Sequence, residues 1–433
     1  MIFQPELETM PAQERAELQR QRLSELIERL QGVDSGYWRE KLADVSPGDA
    51  IDQLPFTEKP ELLEHYPYGM LAVPLERTVR IHGSSGTRHK PTIVAYTERD
   101  VSVFADVNAR SIACAGGTPD DVLHVAYGYG LFTGGLGLHY GGERLGTTVV
   151  PASGGNAAFQ VQLLADLGAH GICCTPSFCY LLAERAAEEG VGDRIQLRYG
   201  VLGAEPWSES LRGKIEDAWG DFDACDIYGL SEVIGPGVAM ECRENKGGLH
   251  VYDDHFFPEV VDPDTGEPTD GLGELVLTTL TKEALPVIRY RTGDVTQLLL
   301  GDCSCGRTHP RIARFSGRVD DMLVIRGVNV FPSAIEAALL EHPGVAGQYA
   351  IVVDRRPALP ELEVHAELAS KELLARRDEV RQSLEAVLEQ RLYLRVTAVV
   401  AEPGGLPRQE IGKAKRVFER TDEKDELRQL NET

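Results

Sequence analysis

The chain has 433 residues, 42% of them apolar, and carries 44 Lys and Arg against 68 Asp and Glu, a formal charge of −24. That length exceeds one hydrophobic core and points to two or three domains, while the acidic balance excludes a nucleic-acid scaffold and requires any anionic ligand to be met by a local basic site. No apolar run reaches the roughly 18 residues of a membrane span, and the opening MIFQPELETMPAQERAELQRQRLSELIERL has no apolar signal core, so the eight cysteines are expected to be thiols or metal ligands in the cytoplasm.

In chain order, residues 1–65 are expected to be a peripheral helical segment that opens with an amphipathic helix. Residues 66–317 alternate short apolar runs with helical stretches. TVRIHGSSG, DVLHVAYGYG, GTTVVPASGG, GICCTP and LRYGVLGAEP each run apolar and then break at Gly, Ser or Pro, and helices are expected at 157–168 and 179–189. That alternation predicts an α/β fold with mostly parallel sheets covered by helices, in which ligands sit at the loops after the strands. Residues 318–433 predict a smaller α+β domain: a helix at 333–341, strands in AGQYAIVVDR and ELEVHAEL, a helix at 373–390 and a strand in RVTAVVAE.

Three stretches carry candidate chemistry. In HGSSGTRHKPT, residues 82–92, a Gly/Ser/Thr turn after a strand lets backbone N–H groups converge on an anion, with Ser84, Ser85 and Thr87 as added donors and Lys90 as charge. The glycine spacing is not that of the P-loop, and a plain surface turn is the alternative. In DIYGLSEVIGPG, residues 226–237, Tyr228 can stack on a flat base, Ser231 can donate to a phosphate, and Glu232 can hold Mg²⁺ through oxygen. A strand followed by a polar turn reads equally well. In RYRTGDVTQL, residues 289–298, Asp294 after a Gly turn can accept from two vicinal ribose hydroxyls, or can merely brace its own turn.

Together these motifs resemble the adenylate-forming superfamily. SSGT..KPT is similar to its phosphate loop, with Arg88 and His89 where Thr and Gly are usual; YGLSE matches its adenine and magnesium segment; TGD matches its ribose site. GRVDDMLVIRGVNVFP is similar to its hinge, with Arg318 and Asp320 at the domain junction and Arg326 as a second cation, and LPRQEIGKAKR aligns Lys413 with its catalytic lysine. Outside that context GKAKR is a solvated basic face. LPFTEKPEL..HYPYG, AYGYGLFTGGLGLHYGGERLGTTVVPASGG, GLHVYDDHFFPEVVDP and CGRTHPRI resemble the phenylacetate–CoA ligase family in particular, from about residue 50 to about residue 420.

The resemblance implies carboxylate activation by ATP and Mg²⁺ to acyl-AMP, then transfer to CoA, by a homodimer acting on aryl or arylacetic acids. It implies Gly203, Ala204, Glu205 and Pro206 beside adenine, Asp226 at the adenine amino group, and Ile227, Gly229, Gly86 and Arg318 around the nucleotide. Tyr127 and Phe132 would be aromatic pocket walls close to a Gly-rich backbone, with Gly203 beside them and Ile234, Gly235 and Pro236 opposite. Tyr127 and Phe132 can equally be core aromatics. Two other outcomes are weighed: transfer to a carrier-protein phosphopantetheine or release of the adenylate, and a catalytically silent nucleotide-binding regulator.

Cys303 and Cys305 form Cys-x-Cys, and Cys242 and His250 lie about 60 residues upstream. If they converge they make an S₃N set, the ligand chemistry of a closed structural zinc site, with His255 and His309 as alternative fourth ligands. Buried free thiols are the alternative. Cys173, Cys174 and Cys179 are expected to be core.

Overall fold

The computed structural model describes residues 1–84, 91–299, 301–319, 323–326, 328–357, 359–406, 416–421 and 424–427. Two compact units emerge, Met1–Ala204 with Lys214–Arg314, and Glu205–Gly213 with Phe315–Thr433.

The larger unit begins with α1 (Pro5–Glu8), α2 (Ala12–Gln31), α3 (Gly36–Lys41) and α4 (Lys59–Glu64). On α2, Leu23, Leu26, Ile27 and Leu30 are buried, the single stripe that amphipathic spacing predicts. This N-terminal arm is fixed by buried charge. Glu8 accepts from Arg307 at 2.6 Å, and Arg15 reaches Thr308.

Strands β1 (Arg80–Gly83) and β2 (Ile93–Tyr96) pair antiparallel as a hairpin. TVRIHG is therefore not a strand of the parallel sheet, as the alternation suggested. Its partner IVAY lies only a turn away, and a local hairpin forms without a crossover. Next, α5 (Glu98–Cys114) starts at a reciprocal cap in which Thr97 and Asp100 each bond the other's backbone N–H.

The remaining elements in order are β3 (Val122–Val125), α6 (Gly134–Leu145), β4 (Thr148–Val150), α7 (Ala157–Asp166), β5 (Gly171–Cys174), α8 (Pro176–Glu188), β6 (Tyr199–Gly203), α9 (Glu209–Trp219), β7 (Asp223–Leu230), β8 (Gly235–Cys242), β9 (Asn245–Val251), β10 (Phe256–Val261), β11 (Gly273–Thr279), β12 (Tyr290–Thr296), β13 (Leu298–Leu299) and β14 (Arg311–Ile312). A nine-stranded sheet runs in the order β13-β14-β9-β8-β7-β6-β5-β3-β4. It is parallel from β4 to β7 and antiparallel from β7 to β13. Strands β10, β11 and β12 form an antiparallel meander in a separate sheet.

Residues 134–145 form the helix α6. Its glycines are contact points. A Cβ on Gly135 would lie 2.6 Å from the Gly128 carbonyl oxygen, so the loop and helix can meet only there as glycine. Close packing outweighs the poor helix propensity of glycine.

The smaller unit contains β15 (Gly317–Arg318), β16 (Leu323–Ile325), β17 (Val328–Val330), α10 (Pro332–Glu341), β18 (Val345–Asp354), β19 (Glu361–Leu368), α11 (Arg377–Leu392), β20 (Thr397–Ala401) and β21 (Val417–Arg420). Strands β20-β19-β18-β21 make a mixed sheet whose Ile351, Val353, Val364 and Ala366 pack with Leu384 and Leu388 of α11. Among the described residues no helix is long and apolar enough to cross a membrane.

Candidate active site

The YGLSE and TGD stretches meet. Tyr228 on β7 donates its hydroxyl to Oδ2 of Asp294 on β12 at 2.6 Å, joining two sheets. Asp294 is presented by a tight turn: Gly293 has φ 77° and its amide donates to Glu274, while the Asp294 amide donates to Thr292 Oγ1. Upstream, Gly203 ends β6 against β7 so closely that a Cβ would stand 2.3 Å from the Ile227 carbonyl oxygen. Ala204 then takes φ 69°, and the chain continues through Glu205 and Pro206. Asp226 sits 3.7 Å from the Arg314 guanidinium, and its amide donates to Glu241.

The base of the 82–92 loop is tied down. The Gly83 amide donates to the Leu131 carbonyl at 2.9 Å, and the Ser84 hydroxyl accepts from the Thr92 amide at 3.1 Å. Ser85, Gly86, Thr87 and Lys90 lie outside the described residues, as do Asp320 and Lys413. After β7 the chain makes one turn, with the Val233 and Ile234 amides on the Leu230 carbonyl, which carries Ser231 and Glu232 into buried positions. Among the described residues the Glu232 carboxylate accepts no hydrogen bond, so its oxygens are available to a hard cation.

Behind this turn lies a residue that motif reading missed. Lys282 is buried, and its ammonium donates to the Glu232 carbonyl at 3.2 Å. Burial pushes the ammonium down to about 8, against the opposing pull of Asp100 and Glu232. Its signal in the sequence is faint: a lysine directly after the strand that precedes RYRTGD.

The aromatic candidates differ in exposure. Tyr127 is buried and donates to the Cys174 carbonyl at 2.6 Å and the Gly203 carbonyl at 3.2 Å. Phe132 is 37% exposed, with its ring against Gly134 at the start of α6. Opposite them Gly235 adopts φ 97°, and a Cβ there would lie 2.7 Å from Thr133. The Pro236 carbonyl accepts from Asn108, and Ile234 is buried. The structure thus gathers Tyr127, Phe132 and residues 234–236 around the N-terminal end of α6. In the smaller unit Arg318 is half-buried on β15, and Arg326 is exposed and paired with Glu361 at 2.7 Å.

The thiols also converge. The ligand atoms of Cys242, His250, Cys303 and Cys305 lie within 4.8 Å of one another. Cys242 Sγ is 3.6 Å from Cys303 Sγ, and Cys305 Sγ is 3.4 Å from His250 Nε2. Those spacings are near the edge lengths of a tetrahedron with zinc–sulfur bonds of about 2.3 Å. The neighbouring Cys242 thiol and the His250 imidazole draw the Cys305 thiol below its ordinary value. The alternative ligands are engaged elsewhere. His255 bonds Thr281 at 2.7 Å, and His309 bonds Asp253 at 2.6 Å. Cys173, Cys174 and Cys179 are fully buried.

Residues 39–280 match the family described as AMP-binding enzyme, and residues 327–421 match the AMP-binding enzyme C-terminal domain. The chain is 46% identical to the phenylacetate-coenzyme A ligase of Thermus thermophilus over 97% of its own length and 99% of that protein's. It is 46% identical to the phenylacetate-coenzyme A ligase of Escherichia coli, covering 95% of this chain and 96% of that one. Among solved structures, 2-hydroxyisobutyryl-CoA ligase in the postadenylation state, in complex with R3-HIB-AMP, is similar with a TM-score of 0.88 at 28% identity, covering 99% of this chain and 94% of that one.

Proposed function

The chain belongs to the AMP-binding enzyme family, in its phenylacetate–CoA ligase branch, and on that premise we propose that it activates an aryl or arylacetic carboxylic acid. It is an AMP-forming acid–CoA ligase with ATP and CoA as substrates. A carboxylate oxygen attacks the α-phosphorus of ATP and pyrophosphate leaves; the CoA thiol then attacks the acyl carbon and AMP leaves. Neither a carrier-protein acceptor nor a silent regulator is favoured by these relatives.

The observation that supports an aromatic acid is the bond from Tyr127 to the Gly203 carbonyl, which places an aromatic ring at the start of the proposed adenine loop. In this reading Tyr127 and Phe132 face Ile234, Gly235 and Pro236 across the acyl group. Tyr228, Asp226, Ile227, Gly229, Ala204, Glu205 and Pro206 surround adenine, and Asp294 takes the ribose. Ser84 to Thr87, Ser231 and Lys90 hold the phosphates, and Glu232 holds Mg²⁺, which neutralises phosphate charge. Lys413 and Arg318 stabilise the charge that develops as the carboxylate attacks. Residues 66–317 then hold the nucleotide, residues 1–65 brace that body, and residues 318–433 move on a hinge at Asp320 and Arg326.

Cys242, His250, Cys303 and Cys305 hold a structural zinc ion in the same reading: three sulfurs and one imidazole are a closed zinc donor set, and their separations suit it. The protein is taken to be a cytoplasmic homodimer, which light scattering checks. Pyrophosphate release measured across benzoates, phenylacetates and aminobenzoates, with and without CoA, tests the substrate class. Release with aromatic acids and thioester only with CoA is expected; turnover confined to aliphatic acids overturns the aromatic assignment.

A further inference from the structure

Tyr96, fully buried at the end of β2, is a junction of three segments that lie far apart in the chain. Its hydroxyl donates to the Ile234 carbonyl at 3.0 Å. The Lys282 ammonium stands 5.2 Å from its ring centroid, and His82 of β1 packs edge-on against it at 5.4 Å. The same ammonium donates to the Glu232 carbonyl at 3.2 Å. Residues 232 and 234 are therefore held from behind at two carbonyls, one by an ammonium and one by a phenol.

The backbone that carries Lys282 is itself fixed. The amides of Glu283 and Ala284, next in the chain, donate to the Asp100 carboxylate at 2.7 and 2.9 Å. Asp100 also caps α5 through Thr97. A helix start, a loop after β11 and the Glu232 turn are thus joined through one lysine.

A lysine 2% exposed costs free energy that an apolar side chain of similar length would not. Among the described residues its ammonium makes one hydrogen bond, and that bond goes to the backbone of the residue proposed to hold Mg²⁺. Packing alone accounts for the stem but not for the charge.

We propose that Lys282 is a positioning residue for acid activation, holding residues 232–236 so that the Glu232 carboxylate and the Ile234–Pro236 wall keep a fixed relation while the adenylate forms. This rests on the roles given above to Glu232 and to Ile234, Gly235 and Pro236. Lys282 itself touches neither acid nor nucleotide in this scheme.

The groups facing Lys282 are Asp100 from α5, Glu232, Tyr96 from β2 and His82 from β1. Burial lowers His82, whose Nδ1 donates to the Leu131 carbonyl, and burial raises the Tyr96 phenol.

The test compares Lys282→Met, Lys282→Arg and Glu232→Gln in the full-length enzyme. For Lys282→Met, kcat/KM of acid-dependent pyrophosphate release is expected to fall about tenfold or more, the loss of roughly one charge-assisted hydrogen bond. Thioester formation from supplied acyl-adenylate should stay within about twofold of wild type. Lys282→Arg, which keeps the charge and the donor, should recover at least part of that kcat/KM. Lys282→Met with wild-type kcat and KM, or with equal loss in both steps, overturns the proposal. Should that variant not fold, Lys282→Gln, which keeps a neutral donor, decides: adenylation lost selectively supports the proposal, and both steps unchanged or lost equally overturn it. If Glu232→Gln adenylates normally, the reading of Glu232 has failed; if it is impaired while Lys282→Met is not, only the role of Lys282 has failed.

Discussion

Tyr228 and Asp294, 66 residues apart in sequence, share a hydrogen bond of 2.6 Å that ties the nine-stranded sheet to the β10–β12 sheet. One supplies a ring face and the other a carboxylate, and under the proposed roles the bond would fix the distance between the base-stacking surface and the ribose acceptor. Tyr228→Phe keeps the ring and deletes the bond. The KM for ATP is expected to rise several-fold with kcat nearly unchanged, whereas Asp294→Ala should cost about 10–100-fold in kcat/KM, the worth of hydrogen bonds to a charged acceptor. Initial rates at varied ATP check both.

Metal analysis of protein purified without added metal is expected to give about one zinc per chain, and Cys303→Ser or Cys305→Ser to abolish it. The four residues come from β8, β9 and the β13–β14 connection, so the expected loss falls on fold rather than chemistry. Thermal unfolding should shift down by about 1–2 °C for each kcal/mol lost. A stoichiometry near zero together with an unchanged transition in the variants would leave the cluster as plain thiols.

Lys413→Ala is expected to abolish adenylate formation nearly completely while sparing thioester formation from supplied adenylate. The physical reason is that a cation bridging the attacking carboxylate and the α-phosphate acts only in the first step. Single-turnover pyrophosphate release and thioester release measure the steps separately, and equal loss of both contradicts this division.

The N-terminal arm depends on buried ion pairs. Glu8→Ala leaves the Arg307 guanidinium buried without its carboxylate, which should cost about 3–5 kcal/mol of stability with little change in KM. Denaturant titration reads the first quantity and steady-state kinetics the second.

Asp254 gives the pH counterpart. Burial works against its charge, yet His255 and Arg110, the latter in a two-bond grip, hold its carboxyl well below the usual carboxylate range. A carboxyl lowered in the folded state stabilises the fold above its unfolded value of about 4, and that contribution fades as pH falls below it. Asp254→Asn should therefore lower the midpoint at neutral pH and flatten its decline toward acid pH; an unchanged acid limb would show that other carboxylates control it.

Much of this was readable from residues alone where the signal was local. HGSSGT, YGLSE and TGD each set several chemically coupled residues within one turn, and their order along the chain carried the chemistry. The expected runs ELEVHAEL and 333–341 appear as β19 and α10, within a residue at each end. Residues 134–145 form a helix that no local motif announced, because the close approach of the Gly128 carbonyl, a tertiary contact, is what calls for glycine at position 135. The TVRIHG run misled because apolar alternation gives a strand but not its partner.

The sequence by itself determined the reaction class, the two-part α/β organisation and the inventory of groups that can do the chemistry. Only the tertiary structure decided that His250, rather than His255 or His309, joins the three thiols, that Tyr228 bonds Asp294, and that Lys282 stands beneath Glu232. Side-chain chemistry is a property of each residue and is written one residue at a time. Which groups come within bonding distance depends on strand register and on the burial of faces far apart in the chain, and those are set by the fold as a whole.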